Sequence, residues 1–211
     1  MVQDIKKPTK QLQEWGSQFG NDYVERNEFE EWKLAPGVEA FRRMIGDLKL
    51  DSILEVGSNI GLNLVFIDTL FNGKVKLHAV EPNKKAYGRL MANKINLAQA
   101  WNCDGFHLPL PDASVDLVLT NGVLIHIAPD DLVRITDEIV RVSKKYILCS
   151  EYFSTTPEEK SYHGQDGLLF KRDFGSFYLD RHPTLKIVDY GFLWQREFKI
   201  FDDLNWWLFE K

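Results

Sequence analysis

The sequence of 211 residues contains only two cysteines, no long apolar run and no basic run. Cys103 and Cys149 lie in apolar, strand-like contexts, so they are expected to be small buried side chains rather than a disulfide or a metal pair. No segment approaches the roughly 20 apolar residues that span a membrane, and residues 1–7 lack the apolar core of a signal peptide. The net charge of −5 comes from dispersed side chains, which argues against a nucleic-acid partner. These absences predict a soluble, cytoplasmic protein that uses no metal ion and has no membrane partner.

The chain is expected to form a single domain over residues 1–211, because its length suits one hydrophobic core. Residues 1–35 are polar with interspersed aromatic side chains and are interpreted as an N-terminal cap segment. Strand and helix patterns then alternate as far as a fifth strand at 146–150, which is typical of βαβ units and a parallel sheet. Residues 151–183 interrupt this alternation and are rich in aromatic, glycine and charged residues. We expect this segment to cover the substrate.

The glycine pattern of dinucleotide-binding folds is also absent. That pattern needs glycine at the first, third and sixth positions of the turn, where this chain has Gly57, Asn59 and Leu62. The turn follows an apolar strand and instead reads Glu55-x-Gly57-x-x-x-Gly61. An acidic strand end followed by two spaced glycines resembles the first motif of S-adenosylmethionine-dependent methyltransferases, and it predicts a cofactor at this turn. The glycines alone are equally typical of any tight strand-to-helix turn.

Three later strand ends carry residues that suit the same nucleotide. Glu81, followed by Pro82, ends the second strand, where a doubly wound fold places the carboxylate that accepts the ribose hydroxyls. Asp104-Gly105 follows the third strand and suits the adenine amino group and the adjacent ring nitrogen, and the fourth strand runs into Asn121-Gly122. Each acid could alternatively be a solvated strand-end residue, but their order along the chain favours one nucleotide site. The predicted cofactor residues at the strand ends are Glu55, Gly57, Asn59, Gly61, Glu81, Pro82, Asp104, Gly105, Asn121 and Gly122.

Four less generic segments look like those of the pseudaminic acid biosynthesis-associated methylases. They are Trp15-Gly16-x-x-Phe19-Gly20-x-x-Tyr23-x-x-Arg26-Asn27, Gly122-Val123-Leu124-Ile125-His126-Ile127, Leu169-Phe170-Lys171-Arg172-Asp173-Phe174 and Val188-Asp189-Tyr190-Gly191-Phe192. The resemblance implies a Rossmann-like α/β class I methyltransferase, with a mainly parallel seven-stranded sheet and helices on both faces. Strand patterns at 185–194 and 203–210 would then form its C-terminal antiparallel hairpin. The resemblance also implies S-adenosyl-L-methionine as the cofactor and an acceptor from a sugar or nonulosonic acid pathway.

Methyl transfer from a sulfonium is an in-line displacement that needs neither a metal ion nor a covalent nucleophile, so the protein mainly supplies position and a dry environment. The methionine carboxylate of the cofactor calls for a cation, and Arg26 is the candidate; a surface ion pair with Glu25 or Glu28 is the alternative. The aromatic faces of Tyr23 and Trp15 would favour the sulfonium charge, although such side chains are often simply part of the core. Tyr23 and Arg26 therefore join the predicted cofactor-binding residues.

An acceptor hydroxyl or ammonium must lose a proton, which calls for a base suited to neutral pH. His126 lies just past the fourth strand and is the first candidate, the alternative being a buried histidine bonded to backbone. Tyr152, after the fifth strand, and His163, in the cover segment, complete the predicted catalytic set. The predicted acceptor-binding residues are Glu151, Tyr162, Lys171 and Arg172, whose mixed charges could bind the carboxylate or hydroxyls of a sugar.

The predicted function is S-adenosylmethionine-dependent methyl transfer to a hydroxyl or amine of a small polar acceptor, most simply a sugar-derived one. A rival enzyme function is methylation of another small amine or of a carboxylic acid. A rival of a different class is a cofactor-binding protein without catalysis that serves as a partner in a glycan-assembly complex. The sequence leaves the oligomeric state open.

Overall fold

The computed structural model describes residues 8–93 and 95–211. The first part of the predicted cap segment, and the prediction that the amino terminus lacks a signal peptide, lie outside the described residues. The helices are α1 Lys10–Trp15, α2 Gln18–Arg26, α3 Leu34–Ile45, α4 Leu62–Leu70, α5 Lys84–Ala92, α6 Pro129–Val142, α7 Phe174–Arg181 and α8 Gln195–Phe198. The strands are β1 Ser52–Val56, β2 Lys76–Val80, β3 Leu97–Trp101, β4 Val115–Asn121, β5 Ser143–Glu151, β6 Glu158–Tyr162, β7 Gln165–Lys171, β8 Lys186–Leu193 and β9 Leu204–Glu210.

The main sheet has seven strands in the order β3-β2-β1-β4-β5-β9-β8. Strands β1 to β5 run parallel to one another. Strand β9 pairs antiparallel with both β5 and β8. The predicted α/β architecture, mainly parallel with a C-terminal antiparallel hairpin, is confirmed. The chain order reverses between β1 and β4, and in such folds ligands bind beyond the carboxyl ends of the strands at that switch point.

The central strands are apolar on both faces because helices cover both sides of the sheet. Ile53, Leu77 and Leu117 are fully buried in one core with residues of α3, α4 and α5. Leu54 and Val118, which alternate with them along β1 and β4, are fully buried in a second core with residues of α6 and α7. The two-residue period of the strands thus assigns neighbouring side chains to opposite cores.

The predicted alternation of strands and helices fails between β3 and β4, because residues 102–114 contain no helix. Pro109 and Pro111 remove two backbone donors from this segment. Phe106 and Leu108 nevertheless bury their side chains in the second core. Arg141 of α6 donates to the carbonyls of Leu108 and Leu110 at 3.0 and 2.9 Å, so side-chain hydrogen bonds replace those that a helix would make.

The N-terminal helices α1 and α2 are fastened across the carboxyl edge of the sheet. The Asn83 amide donates to the carbonyl of Trp15 at 2.8 Å, and the Gln11 amide donates to the carbonyl of Gly167 on β7 at 2.9 Å. Glu25 at the end of α2 forms ion pairs with Lys85 and Arg89 of α5. These contacts hold the described part of the cap segment against both β2 and the β6–β7 hairpin.

The predicted cover, residues 151–183, contains the antiparallel hairpin β6–β7 and then α7, which packs on the second core. In the described part of the chain both cysteines are free; Cys149 is buried in β5 and Cys103 is half-buried after β3. None of the described helices is both long and apolar enough to cross a membrane, and no cluster of metal-ligating side chains occurs among the described residues. The cytoplasmic location stays a prediction.

A side chain added at a glycine can destabilise the fold in two ways, by clashing with neighbouring atoms and by straining the backbone. Two glycines at strand ends allow these two effects to be measured separately. Gly57 has φ +78°, and a Cβ there would lie 2.6 Å from a methyl of Val123, whereas Gly122 has φ +67° and open space around it. We expect Gly122→Ala to lower the free energy of unfolding by about 1–2 kcal/mol through strain. Gly57→Ala should lower it by about 1–3 kcal/mol more through overpacking. Denaturant titration of both variants checks this, and equal losses would mean that Val123 moves aside without cost.

Candidate active site

A cleft of about 400 Å³ opens at the carboxyl ends of β1, β2 and β4. Helices α1 and α2 form one wall, and residues 200–202 and 204, which precede and begin β9, form part of another. Its size lies within the range typical of small-molecule sites. Most of the predicted cofactor residues, but a smaller share of the predicted acceptor residues, line this cleft.

The turn between β1 and α4 forms the floor of the cleft. The amide of Gly57 donates to the carbonyl of Val80 at 2.8 Å, which fastens the turn to β2. Gly61 precedes α4 with φ +84°, and a Cβ there would lie 2.5 Å from a methyl of Leu90. Asn59, at φ +47°, directs its backbone N–H to Glu81 at 2.7 Å. The buried carbonyl oxygen of the Asn59 side chain has no hydrogen-bond partner among the described residues.

Glu81 presents a buried carboxylate to the cleft just beyond β2. Only 6% of the residue is exposed, and its two oxygens accept the N–H groups of Asn59 and Asn83, each at 2.7 Å. Burial raises the pKa of Glu81 to about 7, although these hydrogen bonds oppose the shift. A carboxylate has about four acceptor positions, so each oxygen can accept one more donor. Pro82 also lines the cleft.

Glu55 lies behind the cleft and does not line it. The residue is 1% exposed, and one carboxyl oxygen accepts from the Asn63 side-chain amide at 2.7 Å while the other has no partner among the described residues. Burial raises the pKa of Glu55 to about 8. Asn63 itself lines the cleft. Sequence reasoning missed Asn63; its signal was a single polar side chain in the apolar first turn of α4.

The ends of β3 and β4 complete the cofactor side. Asp104 accepts the N–H of Phe106 at 2.9 Å and so closes its own turn; Gly105 lines the cleft, whereas the Asp104 side chain does not. A Cβ on Gly105 would lie 2.8 Å from a methyl of Val56, so packing requires a glycine there. Asn121 and Gly122 line the cleft, and the Asn121 side-chain oxygen is buried without a partner among the described residues.

His126 lines the cleft from a short 3₁₀ helix, Leu124–His126, that follows β4. Its Nδ1 lies 2.6 Å from the carbonyl oxygen of Leu168, which can only accept, so Nδ1 carries the proton. Burial lowers the pKa of His126 to about 4. The imidazole is therefore neutral at pH 7, and Nε2 remains as a hydrogen-bond acceptor.

Aromatic side chains surround His126 on the acceptor side. Trp15 of α1 contacts the imidazole edge to face, with ring centroids 4.6 Å apart, and Tyr162 lies 5.0 Å away. Tyr23 of α2 meets Trp15 at 5.1 Å. Burial raises the pKa of Tyr23, and it raises that of Tyr162 to about 12. Both phenols are therefore uncharged at neutral pH.

Tyr152 also lines the cleft, and its hydroxyl donates to Asp202 in the loop before β9. Burial and this carboxylate raise the pKa of Tyr152 well above its usual range, so the phenol stays protonated. The Gln195 amide donates to the other oxygen of Asp202 at 3.1 Å. Sequence reasoning missed Asp202, because only the antiparallel pairing of β5 with β9 brings it to the cleft.

Glu151, a predicted acceptor-binding residue, does not line the cleft. Glu151 is the last residue of β5 and is fully buried. Its carboxyl oxygens accept the N–H groups of Val123, Leu124 and Ile125 at 3.1, 3.0 and 3.3 Å. Glu151 therefore holds the short helix that carries His126 and has no free face toward the cleft.

Three predicted site residues from the β6–β7 hairpin and its end, His163, Lys171 and Arg172, do not line the cleft. His163 is exposed in the β6–β7 turn, with its ring centroid 4.5 Å from that of Tyr162. Lys171 and Arg172 border a separate hollow of about 190 Å³, and Arg172 lies over the ring of Phe177 at 4.4 Å. Arg172 thus lies away from the cleft, whereas the Lys171 ammonium is 5.0 Å from the ring centroid of Tyr152, which lines the cleft.

Arg26 is exposed and lies over the ring of Tyr23, with the guanidinium carbon 5.6 Å from the ring centroid. The alternative ion pair with Glu25 does not form, because Glu25 binds Lys85 and Arg89 instead. Arg26 therefore contacts Tyr23, which lines the cleft, and does not line the cleft itself.

Comparison with known proteins identifies a family model that matches part of the chain and solved structures that have a similar fold. Residues 54–147, from β1 to β5, match the family model described as a methyltransferase domain. The 1,6-didemethyltoxoflavin-N1-methyltransferase of Burkholderia thailandensis, solved with 1,6-didemethyltoxoflavin and S-adenosylhomocysteine, is 16% identical with a TM-score of 0.70, covering 98% of this chain and 93% of that one. The chain has the class I methyltransferase fold.

Other solved methyltransferases agree with this assignment. Magnesium protoporphyrin IX methyltransferase of Synechocystis, solved with bound S-adenosylmethionine, has a TM-score of 0.66 at 11% identity, covering 98% of this chain and 99% of that one. An S-adenosylmethionine-dependent methyltransferase of Aquifex aeolicus has a TM-score of 0.65 at 14% identity, covering 90% and 97%. No curated protein matches the chain in sequence.

The fold of the predicted S-adenosylmethionine-dependent methyltransferase is confirmed, and the match of residues 54–147 to a methyltransferase domain supports the predicted activity and cofactor. The neighbours bind or are named for chemically different acceptors. They leave the sugar-pathway resemblance and the choice between nitrogen and oxygen as predictions.

The buried Glu151 carboxylate is expected to contribute strongly to the stability of the fold. We expect Glu151→Ala to lower the free energy of unfolding by at least about 3 kcal/mol, because it leaves three backbone N–H groups without an acceptor. Glu151→Gln keeps one acceptor oxygen and should cost less. Glu39→Ala, at an exposed site on α3, is the control and should change stability little. Denaturant titration measures all three, and a near-neutral Glu151→Ala would show that water replaces the carboxylate.

Proposed function

We propose that this methyltransferase transfers the methyl group of S-adenosylmethionine to a hydroxyl or amine of a small polar acceptor. The observation that carries the proposal is the Glu81 carboxylate, which is buried, lines the cleft and uses only one acceptor position of each oxygen for backbone N–H groups. Two acceptors fixed side by side match the two hydroxyls of a ribose.

The remaining strand ends suggest how the cofactor lies. We place the adenine against Gly105 and Phe106, with Asp104 at its edge, and the methionine end toward Asn121 and the turn at Gly57. Two unpartnered side-chain oxygens, those of Asn59 and Asn121, are available to the cofactor's donors. Glu55 would act on the methionine end through Asn63 and not by contact. Arg26, which lies over Tyr23, stays the proposed cation for the methionine carboxylate.

In the methyl-transfer step the acceptor's lone pair attacks the methyl carbon while the carbon–sulfur bond breaks in line. The protein's part is to position the acceptor and exclude water. His126 is suited to this, because its neutral imidazole offers Nε2 as an acceptor for the O–H or N–H of the incoming group. Tyr152 is protonated and already donates to Asp202, so it orients that carboxylate and does not serve as a base.

We propose a sugar-derived acceptor within this class, because the rings of Trp15, Tyr23 and Tyr162 offer apolar faces beside polar groups. The family resemblance of the sequence points the same way. Methylation of another small amine or of a carboxylic acid remains the rival reaction, and a cofactor-binding partner without turnover remains the rival of another class. Release of S-adenosylhomocysteine in the presence of candidate acceptors separates these three.

Replacing Glu81 by Gln tests the proposed cofactor site. We expect Glu81→Gln to weaken S-adenosylhomocysteine binding by about 10- to 100-fold, because a charged acceptor of hydrogen bonds is lost. The melting temperature should fall as well, because the Gln side-chain nitrogen cannot accept one of the two backbone N–H groups that Glu81 binds. Calorimetry of this variant against Glu39→Gln provides the matched control. Unchanged affinity in Glu81→Gln would place the ribose elsewhere.

The raised pKa of Glu81 predicts a pH dependence of cofactor binding. With a pKa of about 7, the free carboxyl is mostly protonated at pH 6 and mostly ionised at pH 8. A ribose that requires the ionised acceptor must displace this proton, so affinity should rise with pH between 6 and 8, by at most about tenfold per pH unit. Calorimetry in buffers of different ionisation enthalpy should detect proton release, and Glu81→Gln should flatten the profile. A residual slope in the variant would point to Glu55, whose pKa is about 8.

A further inference from the structure

The acceptor end of the cleft contains a carboxylate that the cofactor leaves unused. Glu81 lies at the tip of β2, whereas Asp202 lies beside Tyr152 at the tip of β5, and β1 and β4 stand between these two strands. Three strand spacings separate strands β2 and β5 by about 14 Å. A cofactor whose ribose binds Glu81 therefore extends its sulfonium toward Asp202, and the acceptor must enter between them.

Asp202 is held in place from two sides. The Tyr152 hydroxyl donates to one of its oxygens, and the Gln195 amide donates to the other at 3.1 Å. Each oxygen keeps acceptor capacity, because a carboxylate has about four acceptor positions. The residue is exposed and lines the cleft, so a ligand and water can both reach it.

Three tyrosines share the electrostatic field of this carboxylate. Burial raises the pKa of Tyr23, Tyr152 and Tyr162, and the Asp202 charge adds to the shift at all three. Two of these rings already attract cations: the Lys171 ammonium lies 5.0 Å from the Tyr152 centroid and the Arg26 guanidinium 5.6 Å from that of Tyr23. A carboxylate among aromatic faces is the arrangement that binds an ammonium group.

We propose that Asp202 and the surrounding tyrosines bind the acceptor as an ammonium, so that the methyl group is transferred to an amine nitrogen. This inference rests on the proposed function and narrows its acceptor class. An acidic acceptor group would meet the Asp202 charge inside the cleft, and Lys33, which lines the cleft, is already paired with Glu30. The Lys171 ammonium lies at the Tyr152 ring, and Arg172 borders a separate hollow. The cleft thus selects a cationic group over an anionic one.

The chemical step balances with the groups present. The bound ammonium gives one proton to Asp202, which passes it to water at the open side of the cleft. The free nitrogen lone pair then forms the bond to the methyl carbon, the carbon–sulfur bond breaks, and its electron pair stays on sulfur. The products are S-adenosylhomocysteine and a methylated ammonium, so the positive charge has moved from sulfur to nitrogen.

A pair of isosteric probes tests the inference without turnover. Choline carries a quaternary ammonium, and 3,3-dimethyl-1-butanol has the same shape without the charge. With S-adenosylhomocysteine bound, we expect choline to bind the native protein at least about tenfold more tightly than the alcohol. Asp202→Asn keeps the shape of the side chain and should reduce this preference to within about twofold. Asp203→Asn is the control, because Asp203 accepts only the backbone N–H of Gln195 and does not line the cleft.

Calorimetry or tryptophan fluorescence measures each affinity. Equal binding of the two probes to the native protein, or an unchanged preference in Asp202→Asn, overturns the ammonium site. Failure of S-adenosylhomocysteine itself to bind is a separate result, which would remove the proposed function before the probes are compared.

Discussion

The hydrogen bonds between Glu81 and the two backbone N–H groups of Asn59 and Asn83 hold the cofactor site together. They join the turn after β1 to the tip of β2. The Asn83 side chain extends the link, since its carbonyl caps α5 at Ala86 and its amide holds the carbonyl of Trp15. Glu81 and Asn83 thereby fix the glycine turn, the start of α5 and the wall formed by α1. The cleft exists because these elements converge on one buried charge.

A second carboxylate, that of Glu151, also binds backbone N–H groups, on the other side of the switch point, but its role is different. Glu151 binds three consecutive N–H groups after β4, as Glu81 binds two N–H groups around β2. Burial raises the pKa of both to about 7. Glu81 keeps a face on the cleft, whereas Glu151 is enclosed. Similar chemistry therefore leaves a carboxylate facing the cleft at one strand end and only fixes the position of His126 at the other.

The strand ends were predictable because each depends on a local pattern. An apolar strand followed by Glu55, Glu81 or Asn121 identifies a tip, and parallel strands gather their tips at one edge. The direction of a side chain at the tip was not predictable in this way: Glu55 and Glu151 face inward, and Lys171 lies over the ring of Tyr152 without lining the cleft. Asp202 needed the pairing of β5 with β9, a contact across about 50 residues that no local pattern encodes. Cofactor residues thus follow from sequence more readily than acceptor residues.

The charges in the cleft would favour transfer of the methyl group toward the acceptor side. In the proposed complex the sulfonium would begin as a cation between Glu81 and Asp202, while His126, Tyr152 and Tyr162 are neutral at pH 7. For an amine acceptor the positive charge migrates from sulfur toward nitrogen, and so toward Asp202. A carboxylate already fixed by Tyr152 and Gln195 needs no reorganisation as that charge arrives, which is the condition under which an oriented charge stabilises a transition state. For a hydroxyl acceptor the positive charge would instead leave with the proton, so no cation would remain beside Asp202 after transfer.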